Sequence, residues 1–324
     1  MNLFSKYSLL SLACLLSMAC SRDNADDVEF DVSIADINGQ NVTFAFSGNA
    51  EYIAFYPGTQ GNNYTNSGRV ETEISELKMS CNITQQYNDA SYLNQEIIHI
   101  YLSTDFSGIY TSDELNKATW TPISGLEFNR LPVPVPTSAS AVAVSGDIDL
   151  SAYINPNEKF YIAFQYNAAG RSEIPSANGS GKYITRPRVD VSNLELQKTT
   201  TDGELFIITN AITEWGFRPI YQESVGSNYQ VNDNGLLFQP QKGEISSTTG
   251  KENNEVVWMV STLINPQSVE PDRGIAIKSI EASLPTYTHS YGEAGNYTAT
   301  FIATNASLWD SRQIVKQITV NIQP

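Results

Sequence analysis

The chain has 324 residues, 35 acidic and 19 basic, so its formal net charge at pH 7 is −16. This balance argues against nucleic acid as a partner, because nucleic-acid binding depends on lysine and arginine at phosphates. Polyanionic glycans are disfavoured on the same ground, whereas a neutral polysaccharide is compatible with the charge. The length suggests two domains, at about 150 residues each.

The first segment has the pattern of a secretory signal. Lys6 precedes an apolar run over residues 7–16, and the small-residue stretch 17–19 leads directly to Cys20. The run is shorter than the roughly 20 apolar residues that a membrane-spanning helix needs. Cys20 after a small residue resembles a lipobox, in which the thiol is diacylated and becomes the new N-terminus. We therefore expect a signal peptide over residues 1–19 and a lipid anchor at Cys20.

Residues 20–27 are largely polar and include three aspartates, with Arg22 interrupting the acidic character. They resemble the acidic tether of Bacteroidota lipoproteins that are exported to the cell surface. The resemblance implies an outer-membrane protein exposed at the cell surface, with a periplasm-facing position as the alternative. Two or three acyl chains would hold such a protein firmly.

The apolar stretches of the remaining chain alternate with a period of two. Examples are residues 42–46, 97–102, 160–166 and 297–303, each rich in β-branched or aromatic residues and bounded by turn residues. This pattern predicts short β-strands. Only residues 113–117 look helical, so the sequence predicts an all-β fold.

The C-terminal stretch resembles the end of a PKD-type, immunoglobulin-like module. Residues 287–291 form an aromatic segment, a Gly-Asn-Tyr turn begins at Gly295, and the following strand ends in Asn305. Residues 315–322 then alternate as a final strand.

The middle of the chain resembles a galactose-binding-like jelly roll. Its motifs are Ser-Thr-Asp-Phe-Ser-Gly over residues 103–108, Trp-Thr at 120–121, Leu-Ser-Ala-Tyr at 150–153 and a strand ending Phe-Gln-Tyr at 164–166. Such domains consist of two packed antiparallel sheets. We expect an immunoglobulin/PKD-like sandwich combined with a galactose-binding-like jelly-roll sandwich.

These resemblances suggest a domain organisation. About three strands fall within residues 28–70 and about four within residues 269–324, and together they match the seven of an immunoglobulin-like domain. We therefore expect a jelly roll over residues 71–268 inserted into a split immunoglobulin-like domain. Three modules in series is the alternative.

Residues 44–58, with the later motifs, look like a domain-of-unknown-function family of Bacteroidota lipoproteins. Its members usually accompany SusC/SusD-type glycan uptake machinery. The resemblance implies polysaccharide utilisation as the context and a SusC/SusD-type transport complex as a partner.

The sequence offers little for catalysis. Its two histidines, His99 and His289, each lie inside an alternating strand, and neither forms a cluster typical of zinc sites. Cys81, the cysteine left after the signal and the anchor, is expected to fill a buried slot on a strand. We expect a protein that is not an enzyme and has no cofactor. A structural calcium ion, with Asp105 and Asp147 as conceivable ligands, stays open.

Glycan binding is the positive hypothesis. Sugar rings stack on aromatic rings, and amides, carboxylates and arginine bind the hydroxyls. Trp120 and Trp258 lie within strand segments and are expected to be core residues, whereas loops carry binding function on β scaffolds. The candidate carbohydrate-binding residues are therefore Trp215, Trp309, Arg218, Asp310, Tyr64 and Tyr110.

The N-terminal motifs and the loop aromatics together predict a non-catalytic, glycan-binding surface lipoprotein. One alternative is a structural or adhesive lipoprotein that docks another protein, which a flat apolar patch would favour. The other is a glycoside hydrolase, which needs two carboxylates facing each other across a cleft.

Overall fold

The computed structural model describes residues 24–123, 133–168, 183–184, 186–224, 227–240, 243–244 and 254–324. Cys20, the signal sequence and the first part of the tether lie outside these residues. The described part contains one α-helix, α1 (Ser112–Lys117), capped by the Thr111 side chain, as predicted for residues 113–117. No helix of the described residues is long and apolar enough to cross a membrane.

Strands make up most of the remaining structure. In chain order they are β1 (Phe30–Asn38), β2 (Asn41–Gly48), β3 (Tyr52–Tyr56), β4 (Ile74–Gln86), β5 (Ile98–Ser103), β6 (Thr121–Pro122), β7 (Val142–Asp149), β8 (Tyr161–Ala168), β9 (Tyr183–Ile184), β10 (Arg188–Thr200), β11 (Leu205–Thr209), β12 (Arg218–Glu223), β13 (Ser227–Asn232), β14 (Gly235–Pro240), β15 (Gly243–Glu244), β16 (Glu255–Val260), β17 (Ile275–Lys278), β18 (Thr286–Ser290), β19 (Gly295–Ala306) and β20 (Ser311–Ile322).

The chain divides into two compact units. Unit 1 combines the residues up to Val70 with Val269–Pro324, and unit 2 is Glu71–Ser268. The second unit is thus inserted between two parts of the first.

Unit 1 is a sandwich of two antiparallel sheets. Within its described residues, one sheet has the order β1-β2-β18 and the other β17-β3-β19-β20. The alternating pattern of the strands buries one side chain in two, and Phe44, Phe55 and Phe301 from three strands meet in the core, with ring centroids 4.8–5.6 Å apart. This core fixes the register of both sheets, because a slip of one residue would turn the aromatic rings toward water.

Unit 2 is a larger antiparallel sandwich. One sheet has the order β13-β14-β10-β4-β7, with β11 also paired to β10, and the other has the order β12-β16-β8-β5-β6. Alternate residues of β4 and β10 face those of β5, β8 and β16 in the main core. Each unit thus consists mainly of two packed antiparallel sheets, which confirms the expected all-β fold class.

The second sheet of unit 2 also carries apolar residues on the face away from that core. Phe106 and Leu115, from the segment that contains α1, are buried there against Tyr161, Ile220 and Trp258. The segment between β5 and β6 therefore folds back and covers part of the outer face of the sheet.

Candidate functional site

Trp215 is buried, so its prediction as an exposed platform is wrong. Its side chain is 1% exposed, and its ring stacks on Phe217 with centroids 5.7 Å apart. The Trp215 carbonyl accepts hydrogen bonds from the backbone N and the Oγ1 of Thr262, at 2.9 and 3.1 Å. Gly216 has φ +60° and permits the turn that aims both aromatic rings inward.

The sequence contains a signal for this burial. Ile212, Trp215 and Phe217 are all buried within six residues, a density of large apolar groups that is unusual for a solvated loop. Their segment joins β11 to β12, which belong to different sheets. A connection between the sheets of a sandwich passes over the end of the core and covers it, so its apolar residues have a core to enter.

Tyr110 and Arg218 are brought together in unit 2. The Arg218 guanidinium lies 4.8 Å from the centroid of the Tyr110 ring, and this ring packs edge to face with that of Phe106, with centroids 5.7 Å apart. The Tyr110 hydroxyl donates to the Ser261 carbonyl at 2.9 Å. Burial raises the pKa of Tyr110, although the Arg218 charge opposes this shift. The ring is thus already packed, and Arg218 is the exposed member of the pair.

Tyr64 lies in unit 1, in a short 3₁₀ turn that is capped by Asn63. Its ring meets that of Tyr56 edge to face, with centroids 5.4 Å apart. Since Tyr56 ends β3 and the β19–β20 hairpin lies beside the start of β3, Tyr64 and Trp309 are at opposite ends of unit 1. The structure does not bring these two candidates together.

Trp309 is exposed, as predicted for a polar hairpin tip. Residues 307–310 connect β19 to β20, and Leu308 and Trp309 are 82% and 78% exposed. The Ser307 amide donates to the Asp310 carbonyl at 2.8 Å, and the Ser307 Oγ accepts from the Asp310 amide at 3.1 Å. The turn is therefore closed by its polar residues, and the two apolar side chains project from it.

The Asp310 carboxylate binds other parts of unit 1. Its Oδ2 accepts a hydrogen bond from the Ala25 amide at 3.1 Å and lies 3.5 Å from Arg312 Nε. Arg312 also pairs with Asp27. The predicted sugar-binding role of Trp309 and Asp310 stays a prediction.

A different aromatic surface, which the sequence did not single out, lies on the outer face of the second sheet of unit 2. The Trp258 ring lies 4.8 Å from that of Tyr101 and 5.3 Å from that of Trp120. Trp258 is buried and the other two are partly buried. We call Tyr101, Trp258 and Trp120 the outer-face row.

Polar groups hold the outer-face row in place. Trp258 Nε1 donates to Gln222 Oε1 at 2.7 Å, and Gln222 Nε2 donates to Asn116 Oδ1 at 2.7 Å. The Tyr101 hydroxyl donates to Gln165 Oε1 at 3.4 Å. Burial, with a smaller contribution from the Glu96 charge, raises the pKa of Tyr101, so this hydroxyl stays protonated and remains a donor at neutral pH.

This arrangement places flat aromatic surface beside fixed amide and hydroxyl groups, the combination that sugar rings require. Alternation within a strand indicates that Tyr101 shares a face with His99, but it does not show which residues of other strands lie beside them. The pairing register of the strands decides which residues are neighbours. Gln165 on β8 pairs with His99 on one side and with Trp258 on the other. Trp120 and Trp258 are thus packed, as expected, but they lie on the outer face of the sheet and not in the core between the two sheets.

The two conceivable calcium ligands lie on different sheets of unit 2. Asp105 follows β5, and its Oδ1 accepts from the Thr119 amide at 2.8 Å and from Ser103 Oγ at 2.9 Å. Asp147 on β7 is paired with Lys78 at 2.5 Å. Within the described residues, no group of three or more His, Cys, Asp or Glu is arranged to hold a metal ion.

Cys81 lies on β4 and is buried, as predicted. Burial raises its pKa to about 12, which keeps the thiol protonated and unreactive at neutral pH. His289 lies on β18 between the rings of Phe55 and Tyr291, and burial lowers its pKa.

A cavity of about 530 Å³ opens between the sheets of unit 1, lined on one side by residues 280–285. Phe30, Phe46 and Ile53 line its apolar side, and Lys278 lies at its rim. The Lys278 ammonium donates to the Glu51 carbonyl at 3.1 Å. None of the predicted site residues lines this cavity.

Comparison with known families places the chain. The sequence profile of a domain of unknown function, DUF5017, matches residues 19–215, which is more than half of the chain. The chain belongs to the DUF5017 family. The prediction of a domain-of-unknown-function family is thereby confirmed. The DUF5017 match includes Tyr101 and Trp120 but ends before Trp258 and Trp309. No curated protein matches the chain.

Proposed function

We propose that this DUF5017 protein is a lipid-anchored surface protein that binds a neutral glycan, without cleaving it, on the outer face of the β12-β16-β8-β5-β6 sheet. The observation that supports this site is the outer-face row, three aromatic rings in contact. Partly buried rings with neighbouring amides suit a ligand that is apolar on its faces and polar at its edges.

The polar groups around the row fit hydroxyls better than charges. Gln165, Gln222 and Asn116 carry neutral amides, each of which donates and accepts hydrogen bonds. The net charge of −16 further favours a neutral polysaccharide over an anionic one.

The anchor and the cellular context complete the proposal. Cys20 would carry the acyl chains, and the tether of residues 20–27 would place the protein at the cell surface of the outer membrane. The resemblance to Bacteroidota lipoproteins suggests that the bound polysaccharide is delivered to a SusC/SusD-type transport complex.

The direct test is affinity electrophoresis of the chain from residue 24 onward against a panel of neutral polysaccharides. We expect one polysaccharide to retard the protein, and Tyr101→Ala or Trp120→Ala to weaken the binding about tenfold or more, equivalent to at least about 1.4 kcal/mol. A matched control is Tyr221→Ala, since Tyr221 is an exposed aromatic residue on the edge strand of the same sheet. Its affinity should equal that of the unsubstituted protein.

Other outcomes would replace the proposal. Retardation that Tyr101→Ala and Trp120→Ala leave unchanged would move the glycan to another surface. Release of shortened oligosaccharides would indicate a hydrolase. No retardation by any polysaccharide would favour a protein ligand.

The anchor has a test of its own. Radiolabelled palmitate should be incorporated into the full chain expressed in a Gram-negative host, and Cys20→Ala should abolish the labelling. Protease accessibility of intact cells then distinguishes a surface-exposed protein from one that faces the periplasm.

One observation favours protein docking as a second function. The β11 strand lies at a sheet edge, and its Leu205 and Ile207 side chains are exposed on one face. Two exposed apolar side chains on one face of a strand offer apolar contact surface to a partner protein. If a purified outer-membrane transport complex retains the protein, Ile207→Lys should abolish that retention and leave glycan binding unchanged.

A further inference from the structure

The hairpin tip of unit 1 lies beside the point where the chain enters from its N-terminus. At this end of the sandwich β1 begins, β2 ends, β19 ends and β20 begins. The entering segment is bound here, since the Ala25 amide donates to Asp310 and Ala25 is itself buried. We call this the hairpin end of unit 1.

Further contacts fix the entering segment. The buried Asn305 Nδ2 donates to the Asp27 carbonyl at 3.3 Å, and Asn49 Nδ2 donates to the same carbonyl at 2.9 Å. Gly48, with φ +115°, allows the Glu29 carbonyl to pass 1.9 Å from where a Cβ would stand. The position of Ala25 relative to the tip is therefore set by the fold.

The covalent distance to Cys20 is short. Five residue steps separate Cys20 from Ala25, a length of at most about 18 Å when fully extended. Acyl chains on Cys20 would lie in the bilayer, so Ala25 and the tip bonded to it are held within that distance of the lipid surface. The residues that follow Tyr56 and those that precede Ile275 lie at the opposite end of unit 1.

The chemistry of the tip suits a bilayer interface. Leu308 and Trp309 are adjacent and exposed, and Ile280, in the neighbouring connection from β17 to β18, is also exposed. Tryptophan prefers the interface because its ring is apolar and its N–H is polar. Among the described residues beside the tip, the Arg312 cation is paired with Asp27 and Asp310, which leaves it little positive charge to select anionic lipid.

We propose that Leu308 and Trp309 insert into the headgroup region of the leaflet that holds the Cys20 acyl chains. The tip is then a second membrane contact that orients unit 1, and it requires no anionic lipid. This inference rests on the anchor of the proposed function, but not on its glycan.

A chemical anchor tests the inference independently of lipidation in the cell. The chain from Cys20 onward is coupled through the Cys20 thiol to a maleimide-headgroup lipid in phosphatidylcholine vesicles. Cys81 is buried with a raised pKa and should not react, and Cys20→Ser provides the uncoupled control. The emission of Trp309 is obtained as the difference from Trp309→Phe.

On anchored protein we expect the Trp309 emission to shift to shorter wavelength, to be quenched by brominated lipid and to be protected from aqueous iodide. Iodide accessibility equal to that of the free protein would overturn the inference. The matched control is Ile37→Trp in the Trp309→Phe background, because Ile37 is 45% exposed at the opposite end of unit 1. Equal quenching of both indoles would mean unoriented contact and would also overturn it.

Two further results separate the alternatives. Loss of polysaccharide retardation in Trp309→Phe, without quenching by brominated lipid, would assign the tip to a glycan instead. Absence of palmitate on Cys20 would refute the anchor of the proposed function, while the vesicle measurement would still report whether the tip enters lipid.

Discussion

Trp215 and Trp309 look alike in the sequence and differ completely in the structure. Each stands in a short, turn-rich segment between two strands, yet one is 1% and the other 78% exposed. The segment of Trp215 connects two different sheets and covers the end of a core. The segment of Trp309 connects neighbouring strands of one sheet and projects from it.

The type of connection decides whether an aromatic residue in a loop is buried or exposed. A crossing between sheets has apolar surface beneath it, so burying a large ring there is favourable. The hairpin tip between β19 and β20 crosses no apolar surface, because the two strands are neighbours in one sheet and pair up to the turn.

Trp215→Ala should lower the free energy of unfolding by about 3–5 kcal/mol, because it leaves a cavity where a fully buried ring was packed. Chemical denaturation measures this loss. A change below about 1 kcal/mol would show that the β11–β12 connection is not part of the core.

Burial also decides how much an ion pair contributes to stability. Arg186 Nη1 and Glu255 Oε2 form a fully buried ion pair at 3.2 Å, and the Tyr229 hydroxyl also donates to Glu255. Glu255→Gln should cost about 3 kcal/mol, because it leaves a buried guanidinium without its counter-charge. The exposed pair of Arg273 and Glu270 is the control, and Glu270→Gln should cost less than about 0.5 kcal/mol.

His289 makes stability depend on pH. Burial lowers its pKa below 6.5, so the unfolded chain takes up a proton at a higher pH than the folded protein. Stability should therefore be constant above about pH 7 and fall as the pH drops through 6.5. His289→Gln should reduce this slope in denaturation curves recorded between pH 7.5 and 5.5. An unchanged slope would contradict a lowered pKa for the partly buried His289.

Trp309→Ala should have the smallest effect in solution. Its exposed ring contributes little to packing, so the free energy of unfolding should change by less than about 0.5 kcal/mol. A larger loss, measured beside that of Trp215→Ala, would mean that the tip packs against part of the protein.

Local pattern was sufficient for the elements of the fold. The alternating stretch at residues 97–102 contains most of β5, and the stretch at residues 297–303 is the middle of β19. The predicted helical segment lies within α1. Cys81 occupies its expected buried strand position. These features depend on neighbours in sequence, which periodicity reports directly.

The candidate site depends on pairing between strands that are distant in sequence. Tyr101 and Trp258 are brought together by β8, which pairs with the strands that carry them. Tyr110 and Arg218 meet only because the β5–β6 connection folds over the sheet edge. No local pattern encodes such register, which explains why the outer-face row was missed. The surface position predicted for Trp215 was wrong for another reason, because its turn residues were given more weight than the apolar Ile212 and Phe217 on either side of it.

The most direct test of the glycan site is calorimetric titration of the polysaccharide that retards the protein, with Tyr101→Ala and Trp309→Ala measured in parallel. We expect an affinity about tenfold lower for Tyr101→Ala, with Trp309→Ala unchanged. Unchanged affinity in Tyr101→Ala, with binding lost in Trp309→Ala, would refute the outer-face site and place the glycan on the hairpin tip.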